Sequence, residues 1–216
     1  GGILQGDRYR MDVELRNNAI SHITTQGATR IYKMESNYAT HMVTLNVTDN
    51  SYLEFVPEQI IPYKKSRFYQ KTNLTIDDSS TVVYSETIVP GRIAMGEMFD
   101  FDVCFLKTEG KINDRIQFRD SSLLSPKTQK IESLAMFDDK TILTSVYVLT
   151  KKRVTKINDM INELFSHTQN ISGGSSILPN DSGISIRILG NSSEDQKIII
   201  YEIIKIIRKE ILSDYL

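Results

Sequence analysis

From Tyr9 to Leu149 the apolar residues recur at every second position in short runs, and turn-forming residues separate the runs. Tyr9, Met11, Val13 and Leu15 alternate with Arg10, Asp12 and Glu14, which is the period of a half-buried strand. Asn17-Asn18 follows as a turn. Further strands are predicted over Ile20 to Thr25 and Ala28 to Lys33, around Gly27, and over Met42 to Val47, ending at Asp49-Asn50-Ser51. Tyr52 to Val56 and Ile60 to Tyr63 continue the series. Pro57 and Pro62 cannot donate to a ladder, so these two runs belong at an edge or a bend. Phe68 to Ile76, the turn Asp77 to Ser80, and Thr81 to Val89 read as strand, turn and strand.

Phe99, Phe101, Val103 and Phe105 alternate with Asp100, Asp102 and Cys104, which predicts the aromatic side inward and Cys104 on the acidic side. Glu109-Gly110 is expected to turn the chain into a strand over Lys111 to Arg119. Leu134 to Phe137, Asp138-Asp139 and Thr141 to Leu149 read as one more hairpin. Strand following strand at short intervals argues for all-β layers rather than βαβ units. No internal repeat is evident, although many short strands of similar length can also stack as an irregular solenoid.

The period then changes. Val154, Ile157, Ile161, Leu164 and Phe165 fall at helical spacing. Ser172 to Ser176, S-G-G-S-S, reads as a flexible loop, and Ile184, Ile186 and Ile188 as a last strand stopped at Gly190-Asn191. Ser193-Glu194-Asp195-Gln196 fits a capping box for a helix from about Glu194 to Leu212. Ile200, Ile203, Ile204, Ile207 and Ile211 form that helix's core stripe.

Composition narrows the function classes. With 216 residues a single domain, 1–216, is expected, long enough to bury a core. The net charge of −1 gives no reason to expect nucleic acid or an anionic membrane as partner. One cysteine, Cys104, leaves no disulfide framework. With no secretion signal visible, a cytoplasmic setting is expected. The three histidines, His22, His41 and His167, show no ligand spacing. Phosphate-loop, G-x-S-x-G and H-E-x-x-H motifs are missing.

The candidate chemistry is therefore carboxylate chemistry, centred on Ser85 to Phe99. This stretch reads as a strand end, a Pro90-Gly91 turn with a second permissive point at Gly96, and the start of another strand. Glu86, Arg92 and Glu97 gather there, with Arg92 as the partner of Glu86 or Glu97, either as a structural ion-pair cluster or as a working site. Glu86 lies among apolar residues, where an unpaired carboxylate would shift its pKa. Asp7 sits in a glycine-flanked turn, Glu54 in a strand among Leu53 and Phe55, and Glu58 after a proline bend. Thr25, Gln26 and Thr29 are either lining groups of a passage or ordinary strand residues. Tyr63, Phe68 and Tyr69 are core or interface aromatics. One enzymatic reading remains: a carbohydrate-active β-helix enzyme using Glu86 and Glu97 as paired carboxylates. The absence of Trp among 8% aromatics counts against it.

Four ordered blocks resemble the UreD (UreH) family of urease accessory proteins. Gly1 to Asp7, G-G-I-L-Q-G-D, resembles its G-G-x-x-x-G-D. Ile23 to Lys33, I-T-T-Q-G-A-T-R-I-Y-K, is similar to its L-T-T-Q-A-A-T-K-V-Y-R, with Gly27 and Arg30 as mild departures. Leu53 to Tyr63 resembles L-E-W-L-P-x-x-x-I-x-F, with Phe55-Val56 in place of Trp-Leu. Gly91 to Phe99 resembles G-R-x-A-x-G-E-x-F.

The resemblance implies an irregular β-helix-like stack of strands with two α-helices in the C-terminal third. It implies a non-enzymatic scaffold that helps load nickel into apo-urease with a UreF-like accessory protein and a UreG-like GTPase. It implies that no cofactor is permanently bound and that nickel is in transit along an internal water-filled passage. Asp7, Glu54, Glu58, Glu86 and Glu97 are the candidate acids of that passage. Thr25, Gln26, Thr29, Gly91, Arg92 and Gly96 are its lining or structural residues. Sparse carboxylates suit a conduit, because they hold Ni²⁺ less tightly than His and Cys clusters do. The family pattern carries residues before its Gly-Gly block, so a truncated N-terminus is expected.

Overall fold

The computed structural model describes residues 1–131 and 137–214, the side chain of residue 214 excepted. The first nine strands climb as a coil whose turns repeat the same path. β1 (Arg8–Leu15), β4 (Ala39–Val47), β7 (Arg67–Ile76) and β9 (Val103–Ile112) stack in parallel as one sheet, and β10 (Arg115–Leu124) closes it in antiparallel fashion. β2 (Ile20–Ile23), β5 (Tyr52–Phe55) and β8 (Thr81–Ile88) stack in parallel on the facing sheet. β3 (Thr29–Ile31) and β6 (Ile60–Pro62) add a short third side joined to the end of β8. The facing sheet continues in antiparallel order through β11 (Ile142–Leu149), β13 (Gly183–Gly190) and β12 (Ser172–Ile177).

This is the stacked-strand, solenoid-like arrangement expected from the sequence, with its two helices near the C-terminus. The coil explains why no repeat is legible. Arg8, Thr40, Tyr69 and Phe105 occupy one stacked row, but the chain steps between them are unequal.

What does repeat is corner chemistry. Asn17-Asn18, Asp49-Asn50 and Asn113-Asp114 all take positive φ, which Asn and Asp tolerate through local hydrogen bonds. The corners bond to one another. The Asn18 amide donates to the Asp49 carbonyl at 2.9 Å, and the Asp49 amide to Asp77 Oδ2 at 2.7 Å. Asn50 Nδ2 donates to Asn18 Oδ1 at 3.1 Å, and Asn113 Nδ2 to Asp78 Oδ2 at 2.5 Å.

Three layers result. Leu45, Val47, Leu53, Phe55, Leu74, Ile76, Val82 and Tyr84 fill the space between the sheets. On the other side of the facing sheet lie α1 (Val154–Ser166) and α2 (Ser193–Ile211), packed over Val83, Val146, Val148, Ile184, Ile186 and Ile188. The α2 stripe Ile200, Ile203, Ile204, Ile207 and Ile211 is buried as its spacing predicts, each residue contributing about 2 kcal/mol of gross burial. β8 is therefore covered on both faces and buried throughout.

Several expectations are corrected. The chain does not turn at Glu109-Gly110. It turns at Asn113-Asp114, because both residues adopt the left-handed conformation that a tight hairpin requires, while Phe118 lies directly over Gly110. Cys104 is buried and Phe105 only half-buried, the reverse of the predicted sides. β9 begins at Val103, so the alternation read from Phe99 does not run through one strand.

No strand follows Pro90-Gly91. A short 3₁₀ turn over Ile93–Met95 ends on Gly96 instead. The expected loop at Ser172 is strand β12, because it pairs with β13 and because Asn162 of α1 bonds both the Ser175 amide (2.9 Å) and carbonyl (3.2 Å). Gly173 is needed there, since a Cβ would sit 2.3 Å from the Phe165 ring. The α2 cap is Ser192 rather than Ser193, with the Asp195 amide donating to its hydroxyl at 3.2 Å. Most of the strand predicted over Leu134 to Phe137 lies outside the described residues.

Candidate functional site

The buried face of β8 carries the unusual chemistry. Val82 and Tyr84 point between the sheets while Val83 points to the helices, so the period of two sends Glu86 to the inter-sheet side. There it lines a cavity of about 40 Å³ together with Thr25, Thr29, His41, Glu58 and Gln70. That volume accommodates about two or three waters.

A hydrogen-bond chain crosses the cavity from one sheet to the other. Tyr84 Oη donates to Glu86 Oε2 at 2.9 Å. Gln70 Nε2 donates to Tyr84 Oη at 2.9 Å and reaches Glu86 Oε2 at 3.5 Å. The Gln70 amide is thus oriented with its oxygen outward, and His41 donates to it through Nδ1 at 3.2 Å. Gln70 and His41 are register neighbours on β7 and β4.

Electrostatics follow from burial. Glu86 is 4% exposed, and desolvation pushes its carboxyl up to about 7 against the opposing Tyr84 hydroxyl and the positive charge of Arg187. Burial also lowers the pKa of His41, partly offset by its bond to Gln70, so its imidazole is neutral at pH 7. The cavity therefore holds one carboxyl poised near neutrality, one neutral imidazole and several hydroxyls.

The expected trio of Glu86, Arg92 and Glu97 does not form. Arg92 clamps Glu97 through two hydrogen bonds, the one from Nε being 2.8 Å, while its guanidinium stacks 4.1 Å from the Tyr63 ring centre. The Lys64 amide also donates to Glu97, at 3.2 Å. Neither Arg92 nor Glu97 lines the cavity, so Glu86 and Glu97 are not a facing pair of carboxylates. The sequence brings them close, but the turn at Pro90-Gly91 sends the chain out of the β8 plane. Gly91 is required at that turn: its φ is +138°, and a Cβ would stand 3.0 Å from the Glu97 carbonyl oxygen.

The other candidates divide between cavity and frame. Thr25 and Thr29 line the cavity; Thr25 Oγ1 also accepts the Glu58 amide at 2.9 Å and so ties the two loops together. Gln26 is exposed. Asp7 accepts the Leu4 amide at 2.8 Å, the turn-stabilising role its glycine flanks predict. Glu58 bonds Lys197 Nζ at 2.9 Å.

Glu54 is 1% exposed but points to the helix side of the sheet. Arg208 binds it through two bonds (2.7 and 2.6 Å), Tyr52 donates at 2.7 Å, and His22 Nδ1 lies 2.6 Å away. Burial raises its pKa, but these partners outweigh burial and hold it below the usual carboxylate range. Sequence reasoning missed His41 and Gln70 as cavity residues. The available signal was the polar residue on an otherwise inward-facing row, Gln70 between the buried Phe68 and Thr72.

Among the described residues no three His, Cys, Asp or Glu side chains are grouped to hold a metal ion, and no helix is long and apolar enough to cross a membrane. Parallel coils roofed by two helices, with an acid-bearing cavity between the sheets, define a solenoid-like stacked-strand protein. The family model described as UreD urease accessory protein matches residues 1–215.

The chain is 38% identical over 196 residues to the urease accessory protein UreD of Cenarchaeum symbiosum, covering 90% of this chain and 69% of the relative. It is 35% identical over 215 residues to urease accessory protein UreD 2 of Brucella suis, covering 98% and 71%. The Staphylococcus aureus urease accessory protein UreD is 36% identical over 170 residues, covering 79% and 61%. The chain belongs to the UreD urease accessory protein family.

Proposed function

We propose that the protein is a non-catalytic accessory factor of urease maturation that passes nickel toward apo-urease through its internal cavity. In this role it works in complex with a UreF-like protein and a UreG-like GTPase in the cytoplasm. Family membership supports the maturation role. The cavity supports the cargo, and the observation that carries it is Glu86: a buried carboxyl that lines the cavity and has no salt-bridge partner among the described residues.

Three features suit transit. The donors are sparse, and isolated carboxylate, imidazole and hydroxyl groups release a borderline cation more readily than a thiolate cluster does. A carboxyl poised near neutrality exchanges its proton for an arriving cation. Glu58 and Glu86, on different elements, lie in the same cavity, so the two acids form successive steps. Asp7, Glu54 and Glu97, with Arg92, Gly91 and Gly96, hold the frame around it.

The test is urease maturation in cells that express the chain with apo-urease and its partner proteins. Glu86→Gln keeps volume and hydrogen-bonding capacity but removes the exchangeable proton. The expected result is a loss of nickel per urease active site while the chain still co-elutes with its partners. Full nickel content in the Glu86→Gln background would refute passage through this cavity.

A further inference from the structure

The outer face of the first sheet, on the far side from the cavity, carries a pattern that the transit role does not use. Phe68 and Gln70 of β7 are buried on its inner side, so Tyr69 and Lys71 point outward. Two rows of side chains cross the strands there.

The first row is apolar. Tyr38, just before β4, meets Tyr69 edge to face with ring centres 5.0 Å apart, and Tyr69 meets Phe105 of β9 in the same way at 6.1 Å. Leu123, the register partner of Phe105 on β10, extends the row. Tyr38 is 42% exposed and Leu123 48%, so the row is open to solvent at both ends.

The second row lies two residues further along each strand. Met42, Lys71 and Lys107 are register neighbours on β4, β7 and β9. The acids of this face are already committed: Asp12 to Arg10 at 2.7 Å, and Glu109 to Arg119 at 2.6 Å. Lys71 and Lys107 are left side by side on adjacent strands, and neither makes an ion pair among the described residues. Like charges placed opposite one another across a sheet destabilise it, and an arriving carboxylate relieves that repulsion.

Spacing selects the shape of the occupant. The steps of 5.0 and 6.1 Å between rings bracket the roughly 5.4 Å pitch of an α-helix. Apolar side chains one helical turn apart therefore keep step with the aromatic row, and acidic side chains on the adjoining stripe fall over the lysines. An extended strand laid the same way repeats its side chains every ~6.8 Å on one face and drifts out of step.

We propose that this face docks an acidic amphipathic helix of a partner protein, with the helix's apolar stripe along Tyr38, Tyr69, Phe105 and Leu123 and its carboxylates over Lys71 and Lys107. An apolar row beside a basic row is the complement of such a helix. The docking face rests on the maturation reading for its partner, which is one of the proteins the chain assembles with.

The test uses the whole chain with apo-urease, the UreF-like protein and the UreG-like GTPase, each added singly, with affinity read by surface plasmon resonance at low and high salt. The double reversal Lys71→Glu with Lys107→Glu should weaken binding of one of the three at least about tenfold and flatten its salt dependence. Tyr69→Ala should weaken the same partner at least about tenfold, as loss of an interface aromatic does. Lys71→Glu alone should melt no lower than the wild type, because it sets opposite charges across β7 and β9. Its loss of binding is then not a loss of fold, which keeps the test valid if Tyr69→Ala folds poorly.

Unchanged affinity for all three partners in the double reversal would overturn the docking face, as would weaker binding with an unchanged salt dependence. A concentration-dependent dimer of the free chain that Tyr69→Ala dissolves would give the face to a second copy and overturn it too. A wild-type chain that binds none of the three loses the maturation reading and the docking face together. The passage fails separately. If Glu86→Gln depresses urease nickel while the reversals bind every partner normally, only the docking face is lost. If the reversals lose a partner while Glu86→Gln loads urease fully, only the inner passage is lost.

Discussion

Arg208, near the end of the last helix, grips Glu54 of the second coil through two hydrogen bonds of 2.7 and 2.6 Å. This joins residues 154 positions apart and locks α2 onto the solenoid. Glu54 is buried, so removing the guanidinium strands its charge with only Tyr52 and His22 as donors. Arg208→Ala should cost about 3 kcal/mol, the low end for breaking a buried pair from one side. Denaturant unfolding measures it. A loss below about 1 kcal/mol would mean that the pair behaves as a surface contact.

Glu86 gives the protein a definite pH dependence. In the unfolded chain this carboxyl loses its proton near about 4.3, whereas in the fold it keeps it up to about 7. Between those values the folded chain binds more protons, so stability falls as pH rises and levels off above about 7. Glu86→Gln should abolish this contribution, amounting to about 4 kcal/mol across the window. Unfolding midpoints at pH 5 and pH 8 should therefore differ less in Glu86→Gln than in the wild type. Parallel pH profiles for the two proteins would count against a raised Glu86.

The turn after β8 separates backbone demand from side-chain pairing. Gly91→Ala places a Cβ 3.0 Å from the Glu97 carbonyl oxygen at a φ of +138°, and should cost about 2 kcal/mol. Glu97→Ala removes only its pair with Arg92, whose side chain is 37% exposed, and should cost less than about 1 kcal/mol. Thermal melts should rank Gly91→Ala below Glu97→Ala. The reverse order would make the ion pair, not the glycine, the keeper of the turn.

The corner ladder predicts a modest, local effect. Asp77 accepts the Asp49 amide at 2.7 Å and the Ser79 amide at 3.0 Å. Asp77→Ala should lose about 1–2 kcal/mol. Amide hydrogen exchange should quicken at Asp49 and Ser79 first, with the strands on either side protected as before. Uniformly faster exchange would show that the corner is not a separable unit.

The strand positions were legible because each coil strand presents one face to the core and one outward, so the period of two survives in the sequence. The α2 stripe was legible for the same reason at a period of 3.6. Ser172 to Ser176 was not, because its pairing depends on β13 and on Asn162 of α1, partners that the local composition of Gly and Ser does not reveal. The turn at Asn113-Asp114 was passed over for Glu109-Gly110, since a glycine under Phe118 looks the same in one dimension as a glycine in a turn.

The acids show the same division. The mostly apolar run Thr81 to Val89 made burial of Glu86 an expectation, although Ser85 and Thr87 flank it, and the glycine and carboxylate local to Asp7 marked it as a turn-stabilising residue. Family membership was written in blocks of adjacent residues and needed no fold to be read. Only the tertiary structure decided which acids share a space. Glu86 and Glu97, 11 positions apart, are separated by one glycine turn, whereas Glu86, Gln70, His41 and Glu58, on four different elements, meet in one cavity. Stacking sets those meetings through the unequal length of each coil, a long-range quantity that no local pattern of hydrophobic and polar residues encodes.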